Sequence, residues 1–325
     1  VPKSYNPETG DYDIYNGTQD EVRTIAHVDG NTVWFAEALQ YDHHVPADGL
    51  AASVANLSRT VVVETENADD IPSNQRGHIM FMHSDDVDVR YMQALELGRS
   101  DRSESMDAYE TYVMNNEWNS EGRVTDADGH WVAGEATNIR GRYAIHFHMA
   151  GVETDDTPGY LVGNSVVGSP GWGYVSHDSY AVFEDNVAYD VYGSSFVAET
   201  GNEVGRWENN LAIAGEGRET YIKWGTYNMD LGGEGYGYWL NGRSMDLIDN
   251  IAVGMSGSGY AWFSRGIDMI ETKADNLEYS ELARGLDTIH DQFLPFGTVT
   301  GNEVYASEVG FTSIRGIETS SQHLN

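Results

Sequence analysis

Beyond residue 160 the apolar positions fall in short runs, each opened by an asparagine and closed by a glycine or polar turn. The runs are Asn164-Ser-Val-Val, Asn186-Val-Ala-Tyr, Asn210-Leu-Ala-Ile, Asn250-Ile-Ala-Val, Asn276-Leu-Glu-Tyr and Asn302-Glu-Val-Tyr, at intervals of 22, 24, 40, 26 and 26 residues. Ten residues after five of these asparagines comes a second strand-like segment, at Tyr174, Phe196, Tyr260, Leu286 and Thr312. None of this carries the 3.6-residue period of a helix. A repeat of roughly 20–26 residues holding two or three short strands is what stacked coils require, with rungs about 4.8 Å apart around a continuous apolar core. Asparagine at one coil position can form an internal amide ladder at a turn. A leucine-rich horseshoe would need regular leucines and an outer helix, and a propeller would need four strands per repeat. The pattern predicts an all-β chain, a right-handed parallel β-helix (solenoid).

The earlier chain reads differently. Thr32-Val-Trp-Phe, Ala51-Ala-Ser-Val-Ala and Arg59-Thr-Val-Val-Val-Glu are strand-like runs between Asp/Gly turns,. Residues 1–70 are therefore expected to be the closing strands of a β-rich domain, and residues 71–325 the helix. Two long loops are expected to project from it. One spans 101–134, rich in Asp, Glu, Asn and Trp; the other is the glycine-rich insertion 215–237, which accounts for the 40-residue interval.

Composition narrows the function. Of 325 residues 52 are Asp or Glu and 18 are Lys or Arg, a net charge of −34, while apolar residues make up 40%. The core is ample and the field repels polyanions, so neither nucleic acid nor insertion into a membrane is expected. No run approaches the roughly 20 apolar residues of a membrane span. With no cysteine, thiol catalysis and thiolate metal sites are absent. Few lysines beside many carboxylates suits a secreted or salt-exposed protein. The chain opens at Val1 without Met or a leader, which reads as a processed or trimmed piece.

The positive groups are not spread evenly. Seven of the 18 cations and five of the 11 histidines lie between residues 76 and 148. In Arg140-Gly-Arg142-Tyr-Ala-Ile-His146-Phe-His148-Met149, strand alternation sets Arg140, Arg142, His146 and His148 on one face and Ile145, Phe147 and Met149 on the other,. The apolar set would enter the core and the basic set would line a groove. Asp86, Asp88 and Arg90 alternate likewise with Val87, Val89 and Tyr91, and would join that groove if the two segments are neighbouring rungs. Arg99 and His83 lie in the same stretch. His177 and Glu199 each stand 13 residues after a ladder asparagine, which places them about one rung apart, where the carboxylate can orient the imidazole.

Such a face suits a polysaccharide of uronic acids. Arginine binds carboxylates bidentately, and neutralising the uronate carboxylate acidifies the neighbouring carbon-bound proton for β-elimination. Alternatively two carboxylates could hydrolyse the glycosidic bond. Histidine titrates in the useful range for either role. Two other readings stand beside these. The histidines can be hydrogen-bonded structural groups, or the pair at i, i+2 with an aspartate can hold a divalent metal. Asp86, Asp88 and Asp101 are candidate oxygen ligands for calcium.

The phrases Gly77-His-Ile-Met-Phe-Met-His83, Leu97-Gly-Arg99-Ser-Asp101, Gly141-Arg-Tyr-Ala-Ile-His146-Phe-His148 and Gly168-Ser-Pro-Gly-Trp-Gly173 resemble the β-helix that follows the eight-glycine domain. This is the family of the cell-migration-inducing hyaluronan-binding protein, the cell-surface hyaluronidase and many bacterial secreted relatives. Arg23 to Glu64 resembles the closing strands of the eight-glycine domain itself. The resemblance implies extracellular or cell-surface placement and, for animal relatives, calcium-dependent depolymerisation of hyaluronan.

The leading expectation is a secreted depolymerase of an acidic, uronate-containing glycan. Arg140, Arg142, Arg90 and Arg99 would bind carboxylates; His146 or His148 would be the acid or base, with His83, His177 and Glu199 as further candidates. The alternative is a non-catalytic glycan-binding, adhesion or structural module. The glycan, the cleavage chemistry and the oligomeric state are not fixed by the sequence.

Overall fold

The computed structural model describes residues 18–44, 47–84, 86–103, 138–217, 232–263, 271–273, 288–290 and 296–314. Most of the 101–134 loop, residues 218–231 of the second loop, and Asn276 and Leu286 lie outside them. Two compact units are present, Val1–Val54 and Ala55–Asn325. In the first, Ile25–Asp29 and Thr32–Phe35 pair antiparallel across a two-residue turn. Close by, the Glu21 carboxylate accepts the backbone N–H groups of Gln40 and Tyr41.

The second unit is a parallel β-helix, each coil contributing a strand to three sheets. The first sheet stacks Ile79–Met82, Ile145–Gly151, the start of Tyr174–Glu184, Ser194–Ala198, Tyr236–Leu240, Ser258–Phe263 and Val309–Ile314. The second stacks Asp88–Arg90, Gly159–Val162, the end of Tyr174–Glu184, Val204–Glu208, Met245–Ile248 and Val299–Thr300. The third runs from Val61–Glu64 and Met92–Leu95 through Ser165–Val167, Val187–Tyr189, Leu211–Ile213 and Ile251–Val253 to Glu303–Tyr305. Val61–Glu64 already belongs to the third sheet, so the helix begins ahead of the 70/71 boundary expected from sequence. Among the described residues no helix is long and apolar enough to cross a membrane.

The corners explain the asparagine spacing. Gly163, Asp185, Asn209, Asp249 and Gly301 all have φ between 52 and 67°, the left-handed region that Gly, Asn and Asp tolerate best. Each immediately precedes a ladder asparagine. The side-chain amide of Asn164 donates to Oδ1 of Asn186 at 3.1 Å, Asn186 to Asn210 at 3.0 Å, Asn210 to Asn250 at 2.9 Å and Asn250 to Asn302 at 3.0 Å. Asn302 follows Asn250 directly on the ladder. Between them the strands Glu271–Lys273 and Thr288–His290 pair antiparallel with each other, outside the three sheets.

Inside the helix the aromatic rungs stack. Tyr174, Phe196, Tyr238 and Tyr260 lie face to face at 4.9, 5.0 and 4.7 Å. Tyr238 belongs to the coil that carries the glycine-rich insertion, and the rung partner of Tyr260 is Phe311 rather than Thr312. The outward side of the first sheet is also apolar: Val175, Val197, Trp239 and Ala261 form a second buried cluster with Tyr143, Trp172, Tyr236 and Phe263. The sheet is thus covered on both faces along much of its length, and the histidines lie at one end of that outer cluster.

Candidate functional site

Register in the first sheet decides which side chains meet. Met80, His146, Val175 and Val197 form one outward row, and Met82, His148 and His177 the next. Glu199 follows Ala198, whose partner is Ser176, so it continues the row of His148 and His177. Ile145 and Phe147 enter the core. Met149 does not, because a φ of 53° turns the chain there and leaves it 44% exposed.

Four side chains converge. Glu199 Oε2 stands 3.2 Å from His177 Nδ1 and 3.6 Å from His146 Nε2. His177 Nε2 lies 3.4 Å from Asp178 Oδ2. The His148 ring meets that of His177 edge-on at 4.6 Å and that of His146 at 5.1 Å. His146 Nδ1 is 2.9 Å from the carbonyl oxygen of Gly141. A carbonyl only accepts, so this nitrogen carries the proton and Nε2 presents a lone pair toward Glu199. Tyr143 Oη lies 3.4 Å from Glu199 Oε1, and the Asn241 amide donates to the Glu199 backbone carbonyl.

Burial sets the charges. It pulls His146 down to about 4 against the opposing pull of Glu199, and it lowers His148 with help from the neighbouring His177. Burial works against His177 too, but the Glu199 and Asp178 carboxylates prevail and hold it up at about 10. Glu199, which burial alone would raise, is kept well below the usual carboxylate range by His177, His146 and Arg140. Asp178 is lowered by His177 against the same opposing burial. An anionic carboxylate thus sits among imidazoles with its side chain only 10% exposed.

A basic turn leads into this cluster, its Gly141 carbonyl meeting His146. Arg142 and Arg140 do not lie on the strand, as alternation suggested, but in the turn before it. The Arg142 carbonyl accepts the N–H groups of Arg99 at 2.7 Å and Ser100 at 3.1 Å. Ser100 Oγ accepts from the Arg142 N–H at 2.8 Å and donates to the Ile139 carbonyl at 2.5 Å. Arg99 and Arg142 are thereby held as neighbours, and burial together with these two charges drives His78 down to about 4. Burial and Arg99 likewise lower Arg142.

A profile of the CEMIP beta-helix matches residues 132–311, more than half of the chain. The chain belongs to the CEMIP beta-helix family. It is also similar to three G8 domain-containing proteins of Dictyostelium discoideum, at 27, 25 and 26% identity over 60, 59 and 62% of this chain. The chain spans only 13, 10 and 12% of those relatives' lengths.

Within this CEMIP beta-helix the remaining candidates lie apart. Arg90 is on Asp88–Arg90, which pairs with Gly159–Val162 in the second sheet, and its Nε donates to Asp88 at 2.6 Å. The left-handed turn at His83 separates the first-sheet strand from Asp86 and Asp88, so these acids do not reach the histidines. His83 itself contacts the Met149 carbonyl at 3.2 Å. Asp101 accepts from Ser73 at 2.5 Å and from Ser103. Calcium takes six to eight oxygen ligands, and Asp86, Asp88 and Asp101 do not form one site. Among the described residues, the side-chain group able to share an ion is His146, His148 and His177, whose ligand atoms lie within 4.8 Å of one another.

Sequence reasoning missed His78, Asp178, Tyr143 and Asn241. The pairing of Ile79 with Ile145 would have brought His78 beside the Arg142 turn. Asp178 was legible only as the neighbour of His177.

Proposed function

We propose that this β-helix depolymerises an acidic, uronate-containing polysaccharide of the hyaluronan type outside the cell or at its surface. The supporting observation is the pair Arg99 and Arg142, neighbours at the turn that leads into the His146 strand. Paired guanidiniums match a carboxylate in both charge and geometry. Bound there, the uronate is neutralised, and its C5 proton becomes more acidic. An imidazole with a free lone pair, as His146 Nε2 has, or its neighbour His148 would supply the base. Glycosidic hydrolysis by paired carboxylates needs one of them protonated. Glu199 and Asp178 both stay ionised beside His177, so β-elimination is the chemistry this arrangement favours.

The experiment is incubation with hyaluronan, chondroitin, alginate and polygalacturonate, followed by chain-length analysis and ultraviolet absorbance of the products. Shortened chains with new unsaturated ends support the reading. Shortened chains lacking that absorbance replace elimination by hydrolysis. If no uronate polymer is bound or cleaved, the reading is wrong.

A further inference from the structure

On the outer side of the first sheet one ring nitrogen from each of His146, His148 and His177 lies within 4.8 Å of the others, and the Glu199 carboxylate sits beside them at distances longer than charge-assisted hydrogen bonds. Glu199 Oε2 is 3.2 Å from His177 Nδ1 and 3.6 Å from His146 Nε2. A charge-assisted N–H···O contact would be about 2.7–2.9 Å. Two ligands each about 2.0–2.2 Å from a tetrahedral zinc ion lie roughly 3.3–3.5 Å apart. The atoms are also unsatisfied: His146 Nε2, Glu199 Oε2 and His148 Nδ1 are buried without a hydrogen-bond partner. The His146 side chain is 1% exposed, so solvent does not supply one.

We propose that His146 Nε2, His148 Nδ1, His177 Nδ1 and Glu199 Oε2 bind one divalent transition-metal ion of the zinc class.

The opposite edges of two rings fit this assignment. A metal-bound histidine characteristically donates its other N–H to a carbonyl or carboxylate, which fixes both tautomer and orientation. His146 meets the Gly141 carbonyl through Nδ1, and His177 meets Asp178 Oδ2 at 3.4 Å through Nε2. The strands supply the rigidity: His148 and His177 are Cα partners across adjacent rungs, and His146 pairs with Val175. Three imidazoles and one carboxylate select zinc and its neighbours over calcium, which is bound almost wholly by oxygen. When bound, such an ion supplies Lewis-acid chemistry. The ion site stands on ligand geometry alone; any part in cleavage rests on the function proposed above.

The test is zinc binding by the whole chain, read by elemental analysis after dialysis and by the visible spectrum of the cobalt(II)-substituted protein. The expected result is one ion per chain, removable by chelator, with the strong visible bands of a tetrahedral cobalt site. His146→Ala and Glu199→Gln should lose the ion, and Asp178→Asn should bind it about 10- to 100-fold more weakly. Wild-type protein that retains no zinc from equimolar solution, or whose zinc survives loss of both His146 and Glu199, overturns the proposal and leaves a plain His177–Glu199 ion pair. These outcomes are read without glycan. Uronate cleavage in excess chelator by metal-free protein would reject an ion in the reaction while sparing the function, whereas zinc binding without uronate binding or cleavage would do the reverse.

Discussion

Arg99 donates its backbone N–H to the carbonyl of Arg142 at 2.7 Å, and this bond holds two like charges side by side. Neighbouring guanidiniums repel, so the arrangement persists because the backbone imposes it, and an anion relieves it. Arg142→Ala is expected to weaken binding of a uronate oligosaccharide by roughly 10- to 100-fold, the worth of a hydrogen bond between charged groups at about 1.5–3 kcal/mol. Arg142→Lys should recover only part, because lysine keeps the charge but not the two-pronged geometry. Titration calorimetry at two salt concentrations checks both. Unchanged affinity in Arg142→Ala would remove the pair from the binding site.

The same clasp can be disturbed without touching a charge. A Cβ on Gly171 would lie 2.0 Å from the Ser100 carbonyl oxygen, and Ser100 Oγ holds the Arg142 N–H. Gly171→Ala should destabilise the chain by about 1–3 kcal/mol through overpacking and weaken uronate binding too. Denaturant unfolding and calorimetry on this variant distinguish a positioned pair from two mobile surface arginines, for which binding would not change.

His78 gives a pH signature. Its folded value of about 4, set by burial with Arg142 and Arg99, lies below the ordinary value near 6.5. Between these pH values the unfolded chain binds more protons, so this contribution to stability is full above about 6.5 and lost as pH falls toward 4. The unfolding midpoint of wild type should therefore drop more steeply over that window than that of His78→Gln. Parallel pH profiles would show that His78 is not held against the arginines.

The ladder predicts a position-dependent cost. Asn210 Oδ1 accepts both the backbone and side-chain N–H of Asn186, and its amide serves Asn250 and the Phe183 carbonyl. Asn210→Ala leaves several buried groups unpaired, at about 1–3 kcal/mol each, and should cost roughly 3 kcal/mol or more. Asn302→Ala, at the partly exposed end, should cost less. Equal costs in urea unfolding would contradict the ladder's role.

How much of this was legible depended on the kind of signal. The asparagine period reported the coils because one corner geometry repeats, and the 13-residue offset brought His177 to Glu199 for the same reason. The phrase Asn276-Leu-Glu-Tyr lies outside the described residues. Alternation found the outward placement of His146 and His148 but not their burial, since Tyr143 and Trp172 come from turns with no period. Asp88 and Arg90 were misplaced because a single left-handed residue, His83, moves the chain to another sheet. The arginine pair was half visible: Arg99 and Arg142 were candidates, yet the carbonyl that joins them belongs to the backbone.

Asn250 and Asn302 bond directly although 52 residues separate them, just as Asn210 and Asn250 do across 40. Rung order is therefore indifferent to what is spliced between rungs. Each finished coil offers the next a template of amides, and a segment of any length can leave one corner and return to the next without shifting the register. Segments inserted between rungs are then free to diversify while the outward rows bearing the histidines and Glu199 stay in place.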